Sequence, residues 1–278
     1  MKKIVISALL MGLFGLAQAQ TTIGGTIRYD MNKADGATTT SGISRSRIEL
    51  TSVEQLGGGT TVTAKVGIDG AGRNETVSGT DASVAVAGKF GSVMAGQIEL
   101  ANGIIDRAYG GAPVMGADGT VLAAKGNADI VKYSAPAIGG FTASVSGTRA
   151  IDSSADHSYT VGLTGKVGPM NTGVDYNEAT KRVRASAMAT VAGVTIGAGL
   201  SRNETSVADS WAVGASIPVG ALTIGAAYSN GNGKASEVGA SYALSKRTNV
   251  QLAYMDITNN STSAVNVATT RVRLQHSF

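Results

Sequence analysis

Arg45, Arg47 and Glu49 stand two residues apart, a spacing that bears directly on what these side chains can do. Residues i and i+2 share one face of an extended strand, so the three charges line one side while Ser46, Ile48 and Leu50 line the other. The same count places Arg28, Lys65, Lys132, Arg184, Arg271 and Arg273 on the polar faces of their segments. Fixed charges along a wetted wall make and break no bonds; they sort ions by sign. Other chemistries find little support. The two histidines are His157, in an expected loop, and His276, on the apolar face of the last segment. Neither has the Ser or Asp partner that nucleophilic or acid–base work requires. With no cysteine and two separated histidines, no transition-metal site and no cofactor are expected. Gly57-Gly58-Gly59-Thr60 lacks the Lys-Ser/Thr ending of a phosphate-binding loop and reads as a turn. The chain is not expected to be an enzyme.

The elements that position these charges are strands. Val62, Ala64, Val66 and Ile68 alternate with Thr63, Lys65, Gly67 and Asp69, and Trp211, Val213, Ala215 and Ile217 with Ala212, Gly214 and Ser216. This period of two recurs in segments of about ten residues, the length of a tilted strand that crosses a bilayer. Sixteen candidates follow, at roughly 22–31, 43–54, 60–69, 82–89, 92–98, 128–135, 140–149, 158–167, 170–178, 182–192, 193–202, 209–217, 221–229, 236–244, 248–257 and 268–278. A count of fourteen is the alternative. Tight turns such as Leu56-Gly57-Gly58-Gly59, Val167-Gly168-Pro169-Met170 and Pro218-Val219-Gly220 alternate with longer polar loops. No segment sustains a 3.6-residue period.

A different kind of segment precedes the strands. Lys2 and Lys3 lead into an apolar run from Ile4 to Leu16, which ends in Ala17-Gln18-Ala19. This is the pattern of a secretory signal peptide, with cleavage expected after Ala19. The expected organisation is a cleaved signal over 1–19 and a single barrel domain over 20–278. Without Lys2 and Lys3, 21 basic residues face 19 acidic ones, a net charge of +2. So even a balance argues against a nucleic-acid partner. An exported chain without cysteine must be stabilised by backbone pairing and burial rather than by disulfides. After Leu16 no apolar run is long enough for a membrane helix. A soluble sandwich would place Lys and Glu on its wet face; here that face is mostly Gly, Ser, Thr, Asn and scattered Arg, which fits the interior of a transmembrane antiparallel β-barrel. Aromatic residues are only 5% of the chain, sparse for two interfacial girdles, although Tyr133, Phe141, Tyr228, Tyr242 and Tyr254 fall near strand ends.

The last segment, Arg271-Val272-Arg273-Leu274-Gln275-His276-Ser277-Phe278, alternates up to a terminal Phe. With Thr22-Ile23-Gly24-Gly25-Thr26-Ile27, Ser44-Arg45-Ser46-Arg47 ahead of Glu54-Gln55-Leu56-Gly57-Gly58-Gly59, Phe90-Gly91-Ser92-Val93 and Val131-Lys132-Tyr133-Ser134-Ala135-Pro136, it resembles the general porins of β-proteobacteria and neisseriae. The resemblance spans the mature chain and rests on the order of short motifs. It implies a sixteen-stranded homotrimer in the outer membrane, among lipid and lipopolysaccharide, that passes ions and small hydrophilic solutes passively. It also implies a third outer loop folded into the lumen. The longest gap without alternation, Glu99 to Asn127, is the third outer loop in chain order, and long loops inside a compact domain tend to be functional. It carries Glu99, Asp106 and Asp118, with Arg107 and Lys125. The expected constriction sets Arg45, Arg47, Lys65 and Lys132 against those three carboxylates, with mild anion preference from the excess of basic residues. Relatives usually carry Arg where this chain has Gln97, and its outer loops are shorter than theirs. The alternative is a surface adhesin or structural anchor with little conductance; a solute-specific channel is a third reading, with no motif that names a solute.

Overall fold

Alternation of side-chain type decides which face of each strand meets which solvent, and the backbone must then pair completely. An unpaired N–H or C=O in hydrocarbon costs several kcal/mol, on the order of 4–8 for an amide, so a spanning sheet has to close. The computed structural model describes residues 20–70, 76–99, 103–116, 127–150, 158–203, 209–231, 233–259 and 267–278. Its first strands are β1 (Gln20–Ala34), β2 (Thr40–Gly57), β3 (Thr60–Asp69), β4 (Ser78–Gly88) and β5 (Gly91–Glu99). A short helix, α1 (Gly103–Ala108), precedes β6 (Asn127–Ser134), β7 (Phe141–Ala150), β8 (Ser158–Val167), β9 (Met170–Asn177), β10 (Arg182–Val191) and β11 (Val194–Asn203). The chain finishes with β12 (Ser210–Val219), β13 (Leu222–Asn230), β14 (Gly233–Ala243), β15 (Thr248–Asn259) and β16 (Val267–Ser277). Each strand pairs antiparallel with its sequence neighbours, and β16 returns to β1, which closes the barrel.

Closure is made at the end of the chain. Phe278 N donates to Gly25 O and Gly25 N donates to Phe278 O, both at 3.1 Å. The Phe278 ring lies so close to Gly25 that a side chain there would collide with it and with the Arg47 carbonyl. The terminal ring therefore needs the glycine beneath it. At one end of the barrel the turns are tight; in the β2–β3 turn Gly57, Gly58 and Gly59 all have positive φ (86°, 61° and 79°), a conformation that costs glycine nothing.

Outward faces are apolar and uncovered: Ile196 is 56% exposed, Leu200 51% and Leu252 53%. A water-soluble protein rarely leaves so continuous an apolar surface bare, whereas hydrocarbon solvates it. Aromatic residues join this face. Trp211 and Tyr228 pack with their rings tilted and centred 5.3 Å apart, and Tyr133 Oη donates to Phe90 O (2.8 Å) beside the β4–β5 turn. Among the described residues no helix is long and apolar enough to cross a membrane, and here strands do the crossing.

Two departures from the sequence reading affect the interior. β4 starts at Ser78 rather than near 82, so Thr80 and Asp81 lie in the sheet, just past a register shift between Val66 and Ile68 of its partner. A bulge of this kind interrupts the alternation that strand reading relies on. α1 was not anticipated, because six residues are too few to establish a helical period.

Candidate functional site

The interior is built by the segment after β5. α1 and the residues that follow it turn into the barrel and lie on the inner faces of β9–β14. Those faces carry mostly glycine and small side chains where the segment passes. A Cβ on Gly199 would stand 2.8 Å from Ala108 Cβ, and one on Gly225 2.8 Å from Ala112 Cβ. On Gly197, Gly214 and Gly239 it would strike the carbonyls of Arg107, Tyr109 and Pro113. The glycine lane lets one backbone rest on another.

Polar and apolar contacts then hold the segment. Ser216 Oγ donates to Gly110 O (2.7 Å), and Gly116 N donates to the Glu237 carboxylate (2.8 Å). Val114 O accepts from Arg271 Nη2 (3.2 Å) and Gln251 Nε2 (3.3 Å). Ala108 and Tyr109 bury against Ala212, Ala227 and Ala235, flanked by Val114, Met255 and Ile257. This is the one sizeable apolar cluster described inside the barrel, and it fastens the segment to the β9–β16 wall. From residue 103 to residue 116 the segment keeps to that side.

The wall from β16 through β1 to β4 carries the charges. Arg273 clamps Asp30 with two hydrogen bonds, Nε at 2.7 Å and Nη2 at 2.6 Å. Arg47 donates to Asp81 (2.9 Å) and Thr80 (3.2 Å) and stands 3.5 Å from Glu49. Lys65 lies 3.1 Å from Glu49 and 3.8 Å from Asp81, and Arg45 lies 3.7 Å from Asp69. On β10, Arg184 makes a comparable two-pronged pair with Asp175 (2.9 and 2.5 Å). Such forked, charge-assisted bonds fix a guanidinium in place.

The residues singled out from sequence are distributed as follows. Arg45, Arg47 and Lys65 come together on the inner face, and their described ion-pair partners are wall carboxylates, Asp69, Glu49 and Asp81. Lys132 is on the inner face of β6, and no ion pair to a carboxylate is found for it among the described residues. Asp106 is exposed on α1, next to Arg107, whose guanidinium lies over Gly173. The Glu99 side chain, Asp118, Lys125 and His157 lie outside the described residues. Gln97 pairs with Ala82 and Asp129 on the outward face, so it has no place on the basic wall. His276 also faces outward, with Nδ1 2.9 Å from Thr248 Oγ1.

Asp30, Asp81, Asp175, Ser216, Glu237 and Gln251 were not picked out from the sequence. The signal was available for most of them. Asp30 follows Arg28 by two, Asp175 alternates with the apolar Val174 and Tyr176, and Glu237 shares parity with Gly239. Only Asp81 was hidden, by the bulge.

A family model described as Gram-negative porin matches residues 7–262. No curated protein matches the chain in sequence. Solved structures do match in fold. An anion-selective porin from Comamonas acidovorans superposes with a TM-score of 0.74 at 17% identity, covering 94% of this chain and 100% of the other. A loop-deletion mutant of the Vibrio cholerae outer membrane protein OmpT gives 0.76 at 14% identity, with 94% and 99% covered. A triple mutant of the Rhodopseudomonas blastica porin gives 0.72 at 16% identity, with 93% and 100% covered.

Proposed function

The chain belongs to the Gram-negative porin family, and from that premise we propose that its lumen is an anion-preferring diffusion pore in a homotrimer. Family and fold make it an outer-membrane channel that passes small hydrophilic solutes and ions passively, and they point away from catalysis. The preference for anions rests on one observation about the charged wall. Arg28, Arg45, Arg47, Lys65, Arg271 and Arg273 line its inner face with Asp30, Glu49, Asp69 and Asp81, so that cations outnumber carboxylates there by two. Fixed charge of one sign raises the local concentration of the opposite ion. That the related Comamonas structure is an anion-selective porin agrees with this sign. Arg45, Arg47, Lys65 and Lys132 then form the basic side, and Glu99 at the end of β5, with Asp106 and Asp118 after it in the chain, its acidic counterpart. Residues 1–19 serve as the export signal, and the outward apolar band sits among lipid and lipopolysaccharide.

The reading of a plugged adhesin or anchor is not favoured, because the described part of the inserted segment keeps to one wall. Purified protein in a planar bilayer under a KCl gradient tests the proposal. Ohmic steps with a reversal potential on the chloride side are expected. Cation selectivity would overturn the sign, and absence of conductance would return the anchor.

A further inference from the structure

The charges of the basic wall are not equally available. Arg273 is spent on Asp30, Arg47 on Asp81, and Lys65 on Glu49. Arg271 is buried under the inserted segment, at 8% exposure, with its Nη2 on the Val114 carbonyl and near Gln251 Oε1. Arg28 differs from all of these. Its Nε donates to the neutral Gln275 Oε1 at 2.7 Å, and no carboxylate pairs with it among the described residues. The carboxylate two residues along the same face, Asp30, is already held in both prongs of Arg273. Directly across the β1–β2 ladder stands Arg45, itself 3.7 Å from Asp69, so that a second cation lies beside Arg28. The Cβ atoms of residues paired in this way lie about 5 Å apart, which brings two cations to one patch of the wall.

We propose that Arg28, oriented by Gln275 and reinforced by Arg45, is a dwelling site for compact oxyanions, carboxylate or phosphate, along the conduction path. With Nε held by the amide, the two terminal amino groups keep a fixed plane and form the fork that a two-oxygen anion accepts. A spherical halide gains only the charge; an oxyanion gains the charge and the geometry. Arg28 is thereby a specificity-determining residue that ranks anions by shape, where the remainder of the wall ranks ions by sign. The inference rests on the anion-preferring reading but has a separate readout.

The experiment is chloride current through the purified channel in planar bilayers, titrated with inorganic phosphate and, separately, with acetate. Saturable reduction of the chloride current by either is expected, and the tighter of the two identifies the preferred oxyanion. Arg28→Lys retains the charge and loses the fork, so the block should weaken roughly tenfold. Gln275→Ala, which leaves every charge in place, should weaken it in the same direction. Arg202→Gln, on the outward face, should leave it unchanged. Heat-modifiable migration on gels reports whether each variant has folded. A chloride current that neither anion reduces overturns the proposal, as does a block that survives intact in Arg28→Lys. A cation-selective wild type with an Arg28-dependent block would instead sink the sign of selectivity and leave this site standing.

Discussion

At the scale of single residues, neutralisation matters more than the number of basic side chains. Asp81 lies 2.9 Å from Arg47 and 3.8 Å from Lys65, and its side chain is only 12% exposed, so it cancels field that those two cations would otherwise send into the lumen. Two unit charges about 4 Å apart in water interact by ~1 kcal/mol, a factor of about five in local ion concentration. Asp81→Asn is therefore expected to raise the anion-to-cation permeability ratio by up to about fivefold at low ionic strength. The gain should fade as salt shortens the Debye length from about 30 Å at 0.01 M to about 3 Å at 1 M. Reversal potentials measured across that range check it. A ratio that falls, or one indifferent to salt, would mean that Asp81 does not govern the field.

At the scale of elements, the inserted segment and the wall beneath it behave as one unit. The segment owes its path to the glycine lane of β11–β14, and its far end to Glu237, Arg271 and Gln251. Glu237 is 4% exposed and accepts from the Gly116 amide. Losing a hydrogen bond to a charged group costs about 1.5–3 kcal/mol, enough to free one end of a segment without unfolding a barrel. Glu237→Ala should accordingly raise open-channel current noise and broaden the conductance distribution, with the barrel's heat-modifiable gel migration retained. Quiet, wild-type currents would show that the glycine lane and the Tyr109 cluster hold the segment unaided.

For the molecule as a whole, the arrangement is inverted: charge and polarity inside, hydrocarbon-like side chains outside. Ala198 lies near the middle of β11 on the outward face, between Ile196 and Leu200. An arginine on the lipid face near the bilayer midplane costs about 2–4 kcal/mol, and near the headgroups almost nothing. Ala198→Arg should destabilise the protein by about that amount in urea-dependent unfolding from lipid vesicles. A neutral result would mean that this face does not meet hydrocarbon, and would undo the membrane reading at its base.

Local alternation was enough to reveal the strands, their number and the face to which most of the charges belong, because side-chain direction in a strand depends on residue parity alone. The lumenal placement of Arg28, Arg45, Arg47, Lys65, Arg184, Arg271 and Arg273 was legible in the same way. Parity has no information about neighbours from distant strands. Which carboxylate quenches which guanidinium depends on register, and at Asp81 on a bulge that breaks the count. That Gly197, Gly214 and Gly239 make room for a backbone arriving from residues 107–113 depends on where a long loop comes to rest. Those contacts join residues separated by up to 243 positions in the chain, and only the closed barrel brings them within reach of each other.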